Sequence, residues 1–416
     1  MGLKIEQVRL DSRTVDVLIE GNRIARIAPQ ITETADQVID GRNKYLAPPF
    51  YNTHCHAAMT LLRGIADNLE LFEWLNNHIW PAENNLTAEA VYAGSRLAIL
   101  EMIKSGTVFF NDMYFFPAET VRAAEEMRVR AAIGLINIDT TAPEKRAKYL
   151  LDNQELWSRR NTFSNRIQLT CAPHAIYTVT PDTLQESAVF AAQNDLAIHI
   201  HLAETGREVN ECIQKYGMTP AAYLDKLGLL TERTVAAHSI HLTNEDIELL
   251  KARKVTVSYM PCSNYKLSSG KFRFRSLADT GVRITFGTDG CASNDNLSMF
   301  DEMKCGALGA KNEQNSSTAC SVNEIFNAAT GNGAAAFRID AGVIAEGKLA
   351  DMILIDLDSP MMVADHNTVS NLVYAADSSV VDTVICDGNI LMQNRIVPGE
   401  KEIIAHARSA ARALIK

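Results

Sequence analysis

The chain has 416 residues, with 50 acidic against 40 basic side chains, a formal charge of −10 and no clustered basic stretch, which argues against nucleic acid or an anionic membrane as partner. Its 47% hydrophobic content supports a sizeable core, and its length exceeds the range in which single cores stop growing, so one large barrel-type domain or two domains are expected. Eight cysteines without a C-x-x-C pair, a charged alternating start (MGLKIEQVRLDSRTVDVLIEG) and no long apolar run predict a soluble cytoplasmic protein with reduced thiols, and exclude a disulfide framework and a cysteine-bound zinc.

In chain order, residues 15–19 (VDVLI) and 23–27 (RIARI) alternate around Glu20-Gly21-Asn22, a hairpin-like turn signal. Similar short segments return near the other end, where 352–356 (MILID) and 380–386 lead through Asp387-Gly388-Asn389 into 390–392. Strand-rich ends around a different middle predict a small structural β-sandwich domain built from both termini, residues 1–47 and 346–416. Between them, over 48–345, short apolar strands alternate with helical patterns. Thr87 is placed to cap a helix over 88–104, with Ala93, Leu97 and Leu100 in its apolar stripe and Gly106 at its end. Strands are expected at 45–47, 107–111, 131–136, 167–171, 197–201, 234–238, 255–258 and 283–288. Eight such units over about 250 residues fit a (β/α)8 TIM-type barrel, whose active site lies at the C-terminal strand ends. The competing architecture, a doubly wound open sheet, often carries a glycine-rich phosphate fingerprint after an early strand, and none is present.

The barrel rule tests the histidines. His54 and His56 lie two apart at the first strand and can face one point. The fifth strand ends in HIHLAE (199–204), the sixth in Ala237-His238 and the eighth in Thr288-Asp289. Three imidazoles and one carboxylate around a position left for water form a catalytic divalent-metal site suited to Zn2+, with Fe2+, Ni2+ or Mn2+ as alternatives. His201 is preferred over His199 because it lies nearer the strand end, which leaves His199 as a packed or second-layer residue. His238, ending its strand, is preferred over the loop residue His241. Glu204, one step beyond His201, stands where proton transfer beside a metal-activated water is needed.

Residues 47–85 (APPFYNTHCHAAMTLLRGIADNLELFEWLNNHIWPAENN), with HIHLAET (199–205), AAHSIHL (236–242), PCSNYKL (261–267), GTDGCASND (287–295) and GKLADMILID (347–356), resemble the amidohydrolase superfamily. Within it they are most similar to the branch of 5-methylthioadenosine/S-adenosylhomocysteine deaminases and triazine chlorohydrolases. The resemblance implies one divalent metal held by His54, His56, His201 and Asp289, with His238 holding the attacking water by a hydrogen bond. It implies that Asp289 takes a proton from that water and that Glu204 protonates the adjacent ring nitrogen. Glu83, which position alone marks as a first-turn helix acid, matches a residue that contacts ribose hydroxyls, and His174 matches a substrate-contacting histidine. A homo-oligomer, dimer or tetramer, is also implied.

The expected activity is therefore hydrolytic deamination of an adenine nucleoside or thionucleoside: 5-methylthioadenosine, S-adenosylhomocysteine or adenosine. One departure weakens the charged-tail substrate, since the third strand carries no arginine at its end and only Lys145 or Arg146 lies near the second expected position. The alternatives are hydrolysis of another substituted heteroaromatic ring (triazine, guanine, pterin) and, from a different class, a non-catalytic ligand-binding barrel.

Overall fold

The alternation at the start of the chain becomes an antiparallel meander of β1 (Gly2–Leu10), β2 (Arg13–Glu20) and β3 (Arg23–Ala28), its turns passing through Asp11 and Gly21 at positive φ. Two short strands, β4 (Gln37–Asp40) and β5 (Lys44–Ala47), pair parallel to β1. The computed structural model describes residues 2–139 and 143–414.

Pro48 and Pro49 end this sheet, since neither can donate to a ladder. The chain then enters a second sheet of β6 (Phe50–His56), β7 (Thr107–Asp112), β8 (Arg130–Asn137), β9 (Ile167–Pro173), β10 (Ala197–Leu202), β11 (Thr234–His238), β12 (Thr256–Tyr259) and β13 (Arg283–Phe286). Each is parallel to its sequence neighbour, and the short β14 (Asp289–Gly290), following β13, pairs with β6 through Cys55 and His56 to close the ring. Helices connect the strands and cover the ring, so the strands run almost wholly buried, as a parallel sheet requires. This is the expected TIM-type barrel. The helix Ala88–Lys104 is capped by the Thr87 side chain, which accepts from the Ala90 amide, and Gly106 follows it at positive φ.

One strand assignment is corrected. Residues 45–47 belong to the terminal sheet as β5, pairing with β1, and the first barrel strand is β6, which carries His54 and His56 within it. The sequence YLAPPFYN stays apolar across the boundary, so only the two prolines mark the change of sheet.

After the barrel, β15 (Met352–Asp356), β16 (Val381–Cys386) and β17 (Asn389–Met392) return to the first sheet. Its order becomes β17-β16-β15-β5-β1-β2-β3, with β4 also on β1, and it carries its own core of Ile5, Val17, Ile19, Met352, Leu354 and Ile385. Residues after β17 do not extend this sheet: the helix Glu400–Leu414 packs on Ala88–Lys104, with Arg96–Glu402 at 3.0 Å and Lys104–Glu400 at 2.9 Å. The two sheets are joined by a buried ionic cluster. Arg130, at the start of β8, contacts Asp351 (2.7 and 3.0 Å) and Asp387 (2.7 Å), while the Tyr51 hydroxyl of β6 donates to Asp351 at 3.0 Å.

Candidate active site

The pleat of β6 brings His54 and His56 to one point, their ring centroids 4.9 Å apart, and pairing with β14 places Asp289 against both. Asp289 Oδ1 lies 3.4 Å from His54 Nε2 and 3.2 Å from His56 Nε2. A ring nitrogen from each of His54, His201 and His238 forms a second group sharing His54, with all ligand atoms within 4.8 Å of one another in each group. Four imidazoles and one carboxylate, drawn from four strands, thus converge where the sequence placed them.

The far nitrogens of these rings are occupied. His56 Nδ1 meets the Met113 carbonyl at 2.6 Å and His201 Nδ1 the His174 carbonyl at 2.8 Å, contacts that hold the ring proton on Nδ1 and leave Nε2 as a ligand atom. His54 Nδ1 meets His199 Nε2 at 2.7 Å, and its Nε2 is buried with no hydrogen-bond partner. A divalent cation fits this donor set, since it would satisfy that buried nitrogen and match borderline imidazole and carboxylate ligands.

His238 differs from the other three. The Asn264 amide nitrogen lies 2.9 Å from its Nδ1, and donation there keeps the ring proton on Nε2, which faces Glu204 Oε2 at 3.7 Å. Burial pushes its pKa down to about 3, so it stays neutral. Asp289 Oδ2 accepts from Ser263 Oγ (2.6 Å) and Ser293 Oγ (2.9 Å); burial opposes its charge, but the neighbouring His54 and His56 imidazoles hold its pKa well below the usual carboxylate range. Glu204 stands opposite in character. Burial first, then repulsion from Asp289 and Glu208, hold its carboxyl well above the usual range, which favours the protonated form.

The turn that presents Glu204 is built by Glu208, whose buried carboxylate accepts from the amides of Ala203 (3.0 Å) and Glu204 (2.9 Å). Ala203 has φ +48°, a conformation costly for a side-chain-bearing residue, so these two bonds fix a strained corner.

The site opens into a cleft. Its inner surface is the histidine group with Glu204; its outer wall is apolar, formed by Trp74, Ile79 and Trp80 from the short helical turns over 71–83, with Phe115, Ile136 and Ile138. Glu83 and His174 stand on this cleft and border a second one that includes Lys145 and Lys148. Burial lifts the Glu83 carboxyl to about 7, against the opposing effects of Tyr114 and His56. His174, its Nδ1 2.8 Å from Thr178 Oγ1, is pushed down to about 3, mainly by burial. Arg146 is taken by Asp139 at 2.9 Å, and the end of the third barrel strand presents Ile136 instead of a cation.

All eight residues singled out in the sequence therefore line the cleft or its metal point, whereas His241, bonded to the Ser269 carbonyl at 2.6 Å, stands apart. The sequence reading gave no role to Ser263, Asn264 and Ser293, which hold Asp289 and His238. For Ser263 and Asn264 the signal was position, because Pro261-Cys262-Ser263-Asn264 begins two residues after the end of β12 and so falls on the catalytic rim.

Residues 45–391 match the Amidohydrolase family. The chain belongs to this family. Over 94% of its length this amidohydrolase is 47% identical to a protein named 5'-deoxyadenosine deaminase from Methanospirillum hungatei, covering 87% of that protein. Over 95% it is 43% identical to 5-methylthioadenosine/S-adenosylhomocysteine deaminase 1 of Archaeoglobus fulgidus, covering 94%. Among solved structures, a zinc-bound adenosine deaminase from Xanthomonas campestris superposes with a TM-score of 0.94 at 33% identity, covering 99% of this chain and 98% of that one.

Proposed function

We propose that this amidohydrolase is a metal-dependent aminohydrolase that converts an adenine nucleoside or thionucleoside and water to the inosine analogue and ammonia. The observation that carries the reading is the pairing, across one point, of Asp289 and Glu204, two carboxyls whose surroundings push their pKa values in opposite directions, in a cleft that also holds Glu83. Two carboxyls whose surroundings push their pKa values apart are suited to act as base and acid in one turnover. The names of the relatives and the zinc-bound neighbour agree with it.

In this reading His54, His56, His201 and Asp289 hold the cation, with zinc as the proposed ion. When bound, it supplies Lewis-acid activation of a water at neutral pH. His238 Nε2–H orients that water, and Asp289 takes its proton as it attacks the carbon bearing the amino group. Glu204 gives its proton to the adjacent ring nitrogen, relieving the negative charge that builds there when aromaticity is lost, and then helps move a proton to departing ammonia. Ionised Glu83 accepts from the ribose hydroxyls, His174 contacts the substrate, and the apolar Phe115, Ile136 and Ile138 exclude water from the bound nucleoside.

The apolar wall and the engagement of Arg146 with Asp139 favour a small uncharged 5' substituent, as in 5'-deoxyadenosine or 5-methylthioadenosine, over a charged homocysteine tail. Eight free cysteines and no helix long and apolar enough to cross a membrane among the described residues agree with a cytoplasmic location. Assembly as a dimer or tetramer is also proposed, and light scattering would test it. Zinc-loaded protein incubated with these nucleosides should release ammonia and shift the ultraviolet spectrum from adenine to hypoxanthine. No turnover of any aminated purine would overturn the proposal.

A further inference from the structure

Two of the three proposed ligand imidazoles are steered by backbone carbonyls, His56 by Met113 and His201 by His174. A carbonyl accepts under all conditions, so each of these rings has its proton placed by the main chain. His54 is steered by a side chain, His199 Nε2, at 2.7 Å with the ring planes 82° apart. Both rings are fully buried. An imidazole nitrogen accepts only when its own proton is elsewhere, so the contact has two assignments.

If His199 donates to His54 Nδ1, the His54 proton lies on Nε2, directed at Asp289 Oδ1 3.4 Å away, and the ring offers no lone pair to a cation. If His54 Nδ1–H donates to His199 Nε2, the His54 Nε2 lone pair is free, and the His199 proton must sit on Nδ1, a buried atom with no hydrogen-bond partner. Only the second assignment makes His54 a ligand.

We infer that His199 is a positioning residue for the cation site: it accepts from His54 Nδ1–H, fixing the tautomer and plane of that ring so that Nε2 is presented to the metal. The inference rests on the reading of His54 as a ligand. Its place in the fold is set by β10, whose alternation puts His199 two residues before His201, so that one strand supplies a ligand and the partner of another. The rest of the pairing is distinct from the carbonyl contacts in one respect, because the acceptor here can itself change tautomer.

The test compares His199→Leu, which has no acceptor, with His199→Gln, whose amide oxygen can take the same hydrogen bond. Zinc affinity, measured by competition with a chelator, should fall about 10–100-fold in the leucine variant and stay within a few-fold of wild type in the glutamine variant. The visible spectrum of the cobalt-loaded proteins should change in the first and not in the second, with the metal-free proteins melting alike. Nitrogen NMR of the zinc-loaded wild type, which needs no variant, should show His199 protonated at Nδ1 and bare at Nε2. Wild-type affinity in His199→Leu, equal loss in both variants, or His199 protonated at Nε2 would each overturn the inference. A wild-type protein that binds no cation would instead strike the site reading, and this inference with it.

Discussion

On the inner surface of the cleft, Asp289 and the four histidines around the cation point lie within strands, and the second polar atom of each is held: Asp289 by two serines, His238 by Asn264, His54 by His199, His56 and His201 by carbonyls. On the outer wall, Leu71–Trp74, Leu75–Ile79 and Trp80–Glu83 form one continuous helical run that begins without a side-chain cap at Glu70 and has π geometry in its middle. These turns contribute to the cleft mainly through apolar faces. The contrast separates chemistry from choice. The groups proposed for the chemistry are built on the rigid ring, while the outer wall of the cleft is a helical segment that packs on the ring through Leu71, Trp74 and Ile79.

That separation gives ordered expectations. The largest effect belongs to the inner surface: Glu204→Gln should lower kcat by about 10²–10⁴-fold with metal content retained. A variant that lost affinity for the nucleoside instead, with kcat unchanged, would move Glu204 from the chemistry to binding and break the comparison. The wall should respond in the other parameter. Glu83→Ala should raise KM by roughly 10–100-fold, the size of one or two charge-assisted hydrogen bonds, and leave kcat within a few-fold. Because burial lifts Glu83 to about 7, its carboxylate is lost below that pH, so KM should fall as pH rises through about 7. A Glu83→Gln variant should lack that limb, and a KM profile identical to wild type would remove Glu83 from the ribose.

The last expectation concerns stability, at the corner that presents Glu204. Glu208 is buried and its carboxyl is raised to about 7. An acid whose folded pKa exceeds its unfolded value binds more protons when folded, so this group's contribution to stability is present at low pH and is lost as pH rises from about 4.5 through about 7. Denaturant melts of wild type against Glu208→Gln should therefore differ by an amount that changes by up to about 3 kcal/mol across that window, falling for the wild type. A constant difference would show that Glu208 enters the folded protein already ionised.

Much of the barrel and its rim could be read from the sequence because the determinants are local. A strand end shows in alternation and a ligand pair in two-residue spacing, and HIHLAE contains the end of β10, His201 and Glu204 in one run. What escaped was set by distance. The switch of sheets at residues 48–49 was hidden because the run YLAPPFY stays apolar from β5 into β6, and what separates the two strands is their partners, β15 from three hundred residues later and β7. His199 read as a packed or second-layer residue, and only the fold shows that it meets His54, 145 positions away. Glu83 could be assigned only by resemblance, because a carboxylate in a short helical turn looks the same whether it faces solvent or substrate.

The cluster that joins the two sheets also orders events in time. Arg130 leaves the ribosome long before Asp351 and Asp387, the carboxylates that neutralise it. A guanidinium enclosed without them would cost several kcal/mol, so burial of that end of the barrel depends on residues that come late in the chain. Both carboxylates lie in the last sixth of the chain, and the C-terminal strands they flank act as the stopper for that end of the barrel.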